Sequence, residues 1–176
     1  MLNWLRSRSP TAKTASGLYG SIVAQARQTA FFSAGGVPDT MEGRFGMIGV
    51  HMFLVLERIR HEGDAGQPLG RALLECFMTD MDDNMREIGI GDMAVPRRVK
   101  KAAAALHEQL DAYRTAVTAG AGADTLVEPL VRYVYLESKA GAPQRLAAYM
   151  GDAARHLEKI GWQEIAAGHI SFPPFA

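Results

Sequence analysis

The stretch FGMIGVHMFLVL, residues 45–56, is the longest apolar segment of the chain, and its one clearly polar residue is His51. It is too short to cross a bilayer, which takes about 20 apolar residues in a helical conformation. A helix that is apolar nearly all round is typical of the inside of a protein. We therefore predict that residues 45–56 belong to the buried central helix of the fold.

On both sides of this segment apolar residues recur at close to the helical period, and no strand-like alternation of useful length is present. Glycine and proline clusters separate the periodic segments. We predict an all-α protein with a single helical domain over residues 14–176. It contains about six helices, at approximately residues 14–31, 40–61, 68–88, 96–117, 124–139 and 143–160. Asp39 and Asp124 are the predicted caps of the second and fifth helices, and the tail with Trp162, Phe172 and Phe175 is expected to pack back on the bundle.

Composition and charge limit the function. The 176 residues suit one domain, and 19 Lys and Arg balance 19 Asp and Glu, which argues against nucleic acid as the main partner. The single cysteine, Cys76, forms no internal disulfide and favours a reducing compartment. The charges are segregated, because residues 1–30 are basic, residues 75–92 mainly acidic and residues 97–101 basic again. Such zones suit orientation against charged partners.

The central helix has one polar line, formed by Arg44, His51 and Arg58 at intervals of seven residues. Polar residues also replace apolar ones on the core side of the third predicted helix: Asp80, Asn84 and Glu87. We predict that the two sets pair in a partly buried network, because an unpaired buried charge is costly. Such a network either fixes helix register or forms a polar slot for a ligand or client, and the sequence leaves both open.

No residue pattern indicates catalysis or metal binding. His51 alone is more typical of a satisfied core histidine than of a metal ligand, and no paired ExxH or Cys-His spacing accompanies it. The acidic run at residues 80–84 lies in a helical pattern and lacks the glycine and distal glutamate of a calcium loop. We therefore expect a non-enzymatic protein without a metal or cofactor.

Methionines are concentrated in the middle of the chain, where seven of the nine lie between positions 41 and 93. Met78, Met81 and Met85 fall within about 60° of one another on the third predicted helix. Because methionine is flexible and polarisable, such a face is either core filler or an adaptable surface for apolar partners. The sequence does not separate these two interpretations.

The N-terminal segment, residues 1–13, is basic and carries a few apolar side chains. Leu2, Trp4 and Leu5 stand beside Arg6 and Arg8. This composition fits either weak, reversible contact with an anionic membrane surface or a flexible tail.

Several motifs follow one another at definite separations. They begin with Leu18-Tyr19 and the segment IVAQAR at residues 22–27, and continue with the turn GVPDT at 36–40 and GRF at 43–45. The remainder are Met47-Ile48, His51, Phe77, DMD at 80–82, Arg86-Glu87, Gly89, Gly91-Asp92 and Val99-Lys100. In this pattern the sequence resembles the ubiquinol-cytochrome c chaperone family, most closely over residues 18–118. The family often has an acidic residue after Arg-Phe, where this chain has Gly46.

The resemblance implies a mostly helical, non-enzymatic assembly factor that holds newly made cytochrome b of respiratory complex III. In mitochondria the family works with a small partner protein near the ribosomal exit, and this chain resembles a bacterial member. The expected client or partner contacts combine the family motifs with the methionine face: Tyr19, Val37, Pro38, Asp39, Arg44, Phe45, His51, Met78, Asp80, Met81, Asp82, Met85, Arg86 and Asp92. We expect a cytoplasmic protein, peripheral on the inner membrane, or on its matrix side in a mitochondrion.

Two other classes remain open at this point. One is a helical lipid- or quinone-binding protein, with Arg44 or His51 meeting a polar headgroup in the slot between the second and third helices. The other is a scaffold for a further protein, which a homodimer burying the methionine face would favour.

Overall fold

The computed structural model describes residues 9–120, 123–138 and 141–175, and within them every regular element is helical. The eight α-helices are α1 Pro10–Ala26, α2 Thr29–Ser33, α3 Met41–Arg60, α4 Gln67–Glu87, α5 Val95–Ala119, α6 Val127–Tyr133, α7 Pro143–Glu158 and α8 Trp162–Ala166. Short 3₁₀ turns cover Gly63–Ala65 and Ala123–Leu126. Six of the α-helices have seven or more residues. The prediction of an all-α bundle is confirmed.

Helix α3 is the centre of the bundle, as the apolar stretch predicts. It packs against α1, α4, α5 and α7, and every residue from Gly46 to Val55 is buried. The pair α1 and α4 forms another extensive helix contact beside it. Among the described residues, no helix combines the length and apolarity that a membrane span requires.

The start of α3 differs from the prediction. Thr40 is the cap, because its hydroxyl accepts a hydrogen bond from the Gly43 amide at 3.1 Å. The predicted cap, Asp39, instead pairs with Arg44. Pro68 and Pro96 do stand in the first turns of α4 and α5, as predicted.

The first predicted helix is two helices in the structure. It begins at Pro10 rather than Thr14, because the Ser9 hydroxyl accepts from the Ala12 amide and caps it. It ends at Ala26, since Gln28 is extended, with φ −62° and ψ 131°. The apolar repeat continues across this break, which is why periodicity alone did not show it. Residues 1–8, with the predicted membrane contacts Leu2, Trp4, Leu5, Arg6 and Arg8, lie outside the described ranges.

The fifth predicted helix is shorter at both ends: α6 begins at Val127 without a side-chain cap, so the prediction that Asp124 caps it is wrong, because Asp124 lies in the 3₁₀ turn before it. Helix α6 ends at Tyr133, and Leu136 and Glu137 then adopt left-handed conformations with φ of 53° and 62°. Tyr135, directly before these two residues, is fully buried, and its hydroxyl donates to the carbonyl of Gly35. The burial of this tyrosine accompanies the left-handed backbone at Leu136 and Glu137. The sequence does not predict that conformation, because neither residue is a glycine.

The C-terminal tail packs on the bundle, as predicted. Phe175 is buried, and its ring centroid lies 4.8 Å from that of Phe31 and 5.7 Å from that of Tyr149. Phe172 meets the His51 ring edge-on at 5.1 Å. The tail therefore covers the end of the core formed by α2, α3 and α7.

Candidate functional site

The turn before α3 is fixed by local contacts. Val37 is buried, and its amide donates to the Phe31 carbonyl at 3.1 Å. Arg44 Nε donates to Asp39 Oδ1 at 2.6 Å, and both side chains are more than half exposed. This bond raises the pKa of Arg44 and lowers that of Asp39. Of the family-motif residues in this turn, Asp39, Thr40 and Arg44 are exposed and Pro38 is half-buried, so these four are open to a partner.

His51 is the hub of a buried network. Its Nδ1 lies 2.8 Å from the Met47 carbonyl oxygen, which only accepts, so Nδ1 carries the proton. The lone pair of Nε2 therefore accepts from the Tyr149 hydroxyl at 2.9 Å, and that hydroxyl accepts from Gln25 Nε2 at 3.0 Å. Gln25 Nε2 also donates to the Pro173 carbonyl. Both ring nitrogens of His51 are satisfied, and its side chain is closed to any partner.

A second polar cluster joins α1 to α4. Tyr19 is buried, and its hydroxyl donates to Asp80 Oδ2 at 2.8 Å. Asn84 Nδ2 donates to the other carboxylate oxygen of Asp80 at 3.0 Å. Burial, followed by the bond to Asp80, raises the pKa of Tyr19. Asp80 therefore contributes to the contact between α1 and α4.

The predicted pairing of the two polar stripes is wrong. Arg44 turns to Asp39, His51 turns to Tyr149, and Asp80 turns to Tyr19. Arg58 donates to the carbonyls of Leu157 and Ile160 and to Glu62, so it caps the end of α7. Residues seven apart share a helix face, but that spacing does not show which neighbouring helix lies opposite each one. Of the two alternatives left open by the sequence, the polar slot between α3 and α4 is therefore not formed by these residues.

Double-mutant cycles distinguish the observed pairing from the predicted one. We expect Tyr19→Phe and Asp80→Ala to couple by about 1–2 kcal/mol in urea unfolding, because the bond has a charged acceptor and is partly buried. The matched cycle of Arg44→Ala with Asp80→Ala should show additive effects, since the two side chains have different partners. Coupling in the second cycle and not in the first would contradict the observed geometry.

The methionine face lies beside an apolar groove between α4 and α5. Met78 and Met81 are half-buried and pack against the core, while Met85 is also half-buried. The groove has a volume of about 180 Å³ and is lined by side chains from both helices: Leu74, Phe77, Met78, Ala103, Leu106, His107 and Leu110. Phe77 in this wall packs edge-on against the ring of Phe45 of α3, with centroids 5.7 Å apart.

The sequence predicted one residue of this groove. The methionine spacing indicated Met78 in the α4 wall, whereas neither the rest of that wall nor any of the α5 residues was a predicted site residue. A usable signal was present in the alanine run at residues 102–105. Small side chains leave space beside a neighbouring helix, and the short connection between α4 and α5 makes those helices neighbours.

The remaining predicted residues lie at the end of α4. Arg86 Nε donates to Asp82 Oδ2 at 2.6 Å, and Arg86 Nη1 donates to Asp92 Oδ1 at 2.5 Å. One arginine thus bridges two carboxylates and ties the loop after α4 back to that helix. In the described ranges, His, Cys, Asp and Glu side chains form no group suited to holding a metal ion.

These features define an all-α protein with a closed core and an apolar groove on its surface. A family model described as ubiquinol-cytochrome C chaperone matches residues 33–172. The crystal structure of the Cbp3 homolog from Brucella abortus is 34% identical in sequence, with a TM-score of 0.82 over 99% of this chain and 97% of that chain. A search of curated proteins gives no significant match. The chain belongs to the ubiquinol-cytochrome c chaperone family, which confirms the resemblance in its motifs.

Proposed function

We propose that this protein is a non-enzymatic chaperone that holds newly made cytochrome b during assembly of complex III, with the client in the groove between α4 and α5. Membership of the family supports the assembly role. The observation that carries the placement is the groove itself, because it is lined by Leu74, which is 37% exposed, and by the half-buried Met78, with the half-buried Met81 one turn further along α4. Flexible apolar side chains of this kind accept varied apolar partners.

The size of the groove favours a protein segment over a free small molecule. Its volume of about 180 Å³ is below the roughly 300–1,000 Å³ of typical ligand pockets. It suits the side chains of an amphipathic or transmembrane helix laid along α4, as in helix-in-groove recognition. Tyr19, Val37 and His51 are buried, so they serve the client only by supporting the scaffold.

The main test is client capture by a variant with Met78, Met81 and Met85 replaced by serine. We expect recovery of cytochrome b from the host membrane fraction to fall by about tenfold or more, because the apolar contact is lost. The triple leucine variant should retain capture, since leucine keeps the apolar surface. The matched control is Met41→Ser with Val117→Ser, which removes exposed apolar side chains outside the groove.

Urea unfolding of each variant separates lost binding from lost folding. Because Met78 and Met81 also pack on the core, serine there lowers stability as well. The proposal requires capture to fall at a temperature where the variant is still folded. Capture equal to that of wild type would exclude this face from the client site.

Photocrosslinking tests whether the client lies in the groove without removing a methionine contact. A photoreactive residue at Leu74 should crosslink to cytochrome b in the membrane fraction, whereas one at exposed Arg155 on α7 should not. Crosslinks from Leu74 solely to a second copy of the chain would favour a homodimer and overturn the client assignment.

A further inference from the structure

The hairpin between α4 and α5 ends in a tip with apolar side chains in solvent. Met93, in the turn before α5, is 97% exposed, and Ile88, directly after α4, is 57% exposed. Between them, a Cβ added at Gly89 or Gly91 would meet no atom within 4 Å. Apart from half-buried Ile90, all residues from Glu87 to Ala94 are exposed, so the tip lies at the surface. Burial of such exposed apolar side chains against a partner is favourable, because it removes their surface from water.

A group of cations follows the tip within the first two turns of α5: Arg97, Arg98, Lys100 and Lys101. All four are exposed, and none forms an ion pair with another residue in the described part of the chain. No acid occurs from Met93 to His107. Cations near the start of a helix oppose its dipole, so the stability of α5 does not account for them.

The acids of the tip belong to the α4 side. Arg86 holds Asp82 and Asp92 against α4, and Asp83 and Glu87 are exposed on that helix. The tip is thus polarised, with negative charge on α4 and positive charge on α5. An anionic partner is attracted to the α5 side and repelled by the α4 side.

We propose that this tip docks on an anionic lipid surface, with Met93 and Ile88 entering the headgroup region and the four cations of α5 contacting lipid phosphates. The combination fits a membrane better than RNA, because aliphatic side chains gain nothing from a phosphate backbone. The segment between Phe77 and Tyr113 also contains no Phe, Trp or Tyr on which a base could stack. The contact holds the chaperone at the bilayer and does not depend on which client it carries.

The test is co-sedimentation of the purified full chain with vesicles of equal parts phosphatidylcholine and phosphatidylglycerol, and with phosphatidylcholine alone. We expect binding to the first vesicles only, and we expect it to weaken with added salt. Arg97→Glu with Lys101→Glu should reduce the apparent affinity by about tenfold or more, since each juxtamembrane cation contributes roughly fivefold. Met93→Ser should reduce it by about fivefold.

Matched control variants make the same charge reversals and the same methionine-to-serine change at positions outside the tip. Arg71→Glu with Lys159→Glu and, separately, Met41→Ser alter exposed residues far from the tip in sequence, and both should bind like wild type. Circular dichroism verifies that each variant is folded. With vesicles, three results would overturn the proposal: no binding by wild type, equal losses in variants and controls, or binding that survives the tip variants and is lost in Trp4→Ser with Leu5→Ser. Tighter binding to single-stranded RNA than to the vesicles would assign the cations to RNA instead.

Discussion

Replacing Gly46 with alanine should lower the free energy of unfolding by about 2 kcal/mol, although alanine is the better helix former. Gly46 is buried in α3, where the helix passes the backbone at the end of α6. A Cβ at this position would lie 3.0 Å from Val134 Cα and still closer to the Tyr133 carbonyl oxygen. Both obstacles are backbone atoms, so no side chain can rotate away to make room.

The neighbourhood of Gly46 leaves little freedom to adjust. Its own carbonyl accepts a hydrogen bond from Gln109 Nε2 at 2.9 Å, which ties α5 to α3. The same Gln109 amide donates to the Tyr113 hydroxyl, and both of these side chains are buried. Separating α3 from α6 to admit a methyl group therefore also strains the contact between α3 and α5.

Gly20→Ala is the matched control for this prediction. Gly20 lies inside α1, is exposed, and has open space where a Cβ would stand. Alanine there should raise stability by about 0.5–1 kcal/mol through helix propensity alone. Urea unfolding followed by circular dichroism gives both values. If Gly46→Ala were as stabilising as Gly20→Ala, α3 and α6 would not be in the close contact that the structure shows.

The sequence predicts most of the fold, because most of it follows from local rules. The segment around Gly46 is apolar on every side and becomes the buried central helix. Pro68 and Pro96 mark the starts of α4 and α5 within a residue or two. What it misses depends on tertiary contacts: the left-handed Leu136 has neither glycine nor proline to signal it, and its conformation accompanies the burial of Tyr135.

The candidate site is less predictable than the fold, because a helical wheel gives the face of a residue and not its partner. Arg44, for example, pairs with Asp39, five residues earlier in the chain, and not with a residue of the neighbouring helix. The methionine spacing identifies Met78 on one side of the groove. Prediction of the opposite wall would require the relative placement of α4 and α5. Family motifs mark Tyr19 and His51 without showing that both are buried.

Acid should weaken the fold through His51, with a loss of about 3 kcal/mol between pH 7 and pH 4. Burial lowers the pKa of His51 from 6.5 to about 4, although the hydrogen bond to the Met47 carbonyl opposes this shift. In the unfolded chain the imidazole takes up a proton near its ordinary pKa, while in the folded protein it stays neutral until about pH 4. The unfolded state therefore binds more protons in this window, and stability falls as the pH falls.

Comparison with His51→Gln separates the effect of His51 on acid stability from the effect of the Asp and Glu side chains, which wild type and variant share. At pH 7 the variant should be the less stable protein, because glutamine does not reproduce both bonds of the imidazole. Toward pH 4 the difference should shrink by about 3 kcal/mol, since only wild type has this group to protonate. His61→Gln, at an exposed position outside the network, is the control for loss of an imidazole. A difference between wild type and His51→Gln that is constant from pH 7 to pH 4 would contradict the prediction.

The geometry of the network explains why the neutral imidazole is required. Tyr149 already accepts from Gln25, so its hydroxyl proton points to Nε2 of His51. A proton on Nε2 would face that hydroxyl proton in a site closed to water, and the new charge would have no acidic partner among the bonds of the network. Because Gln25 also bonds the Pro173 carbonyl, protonation should loosen the C-terminal tail together with the contact between α1 and α7. The expected local signature is a loss of protection from amide exchange between pH 7 and pH 4.5. After correction for the intrinsic rate at each pH, this loss should be larger at residues 169–175 than in α4.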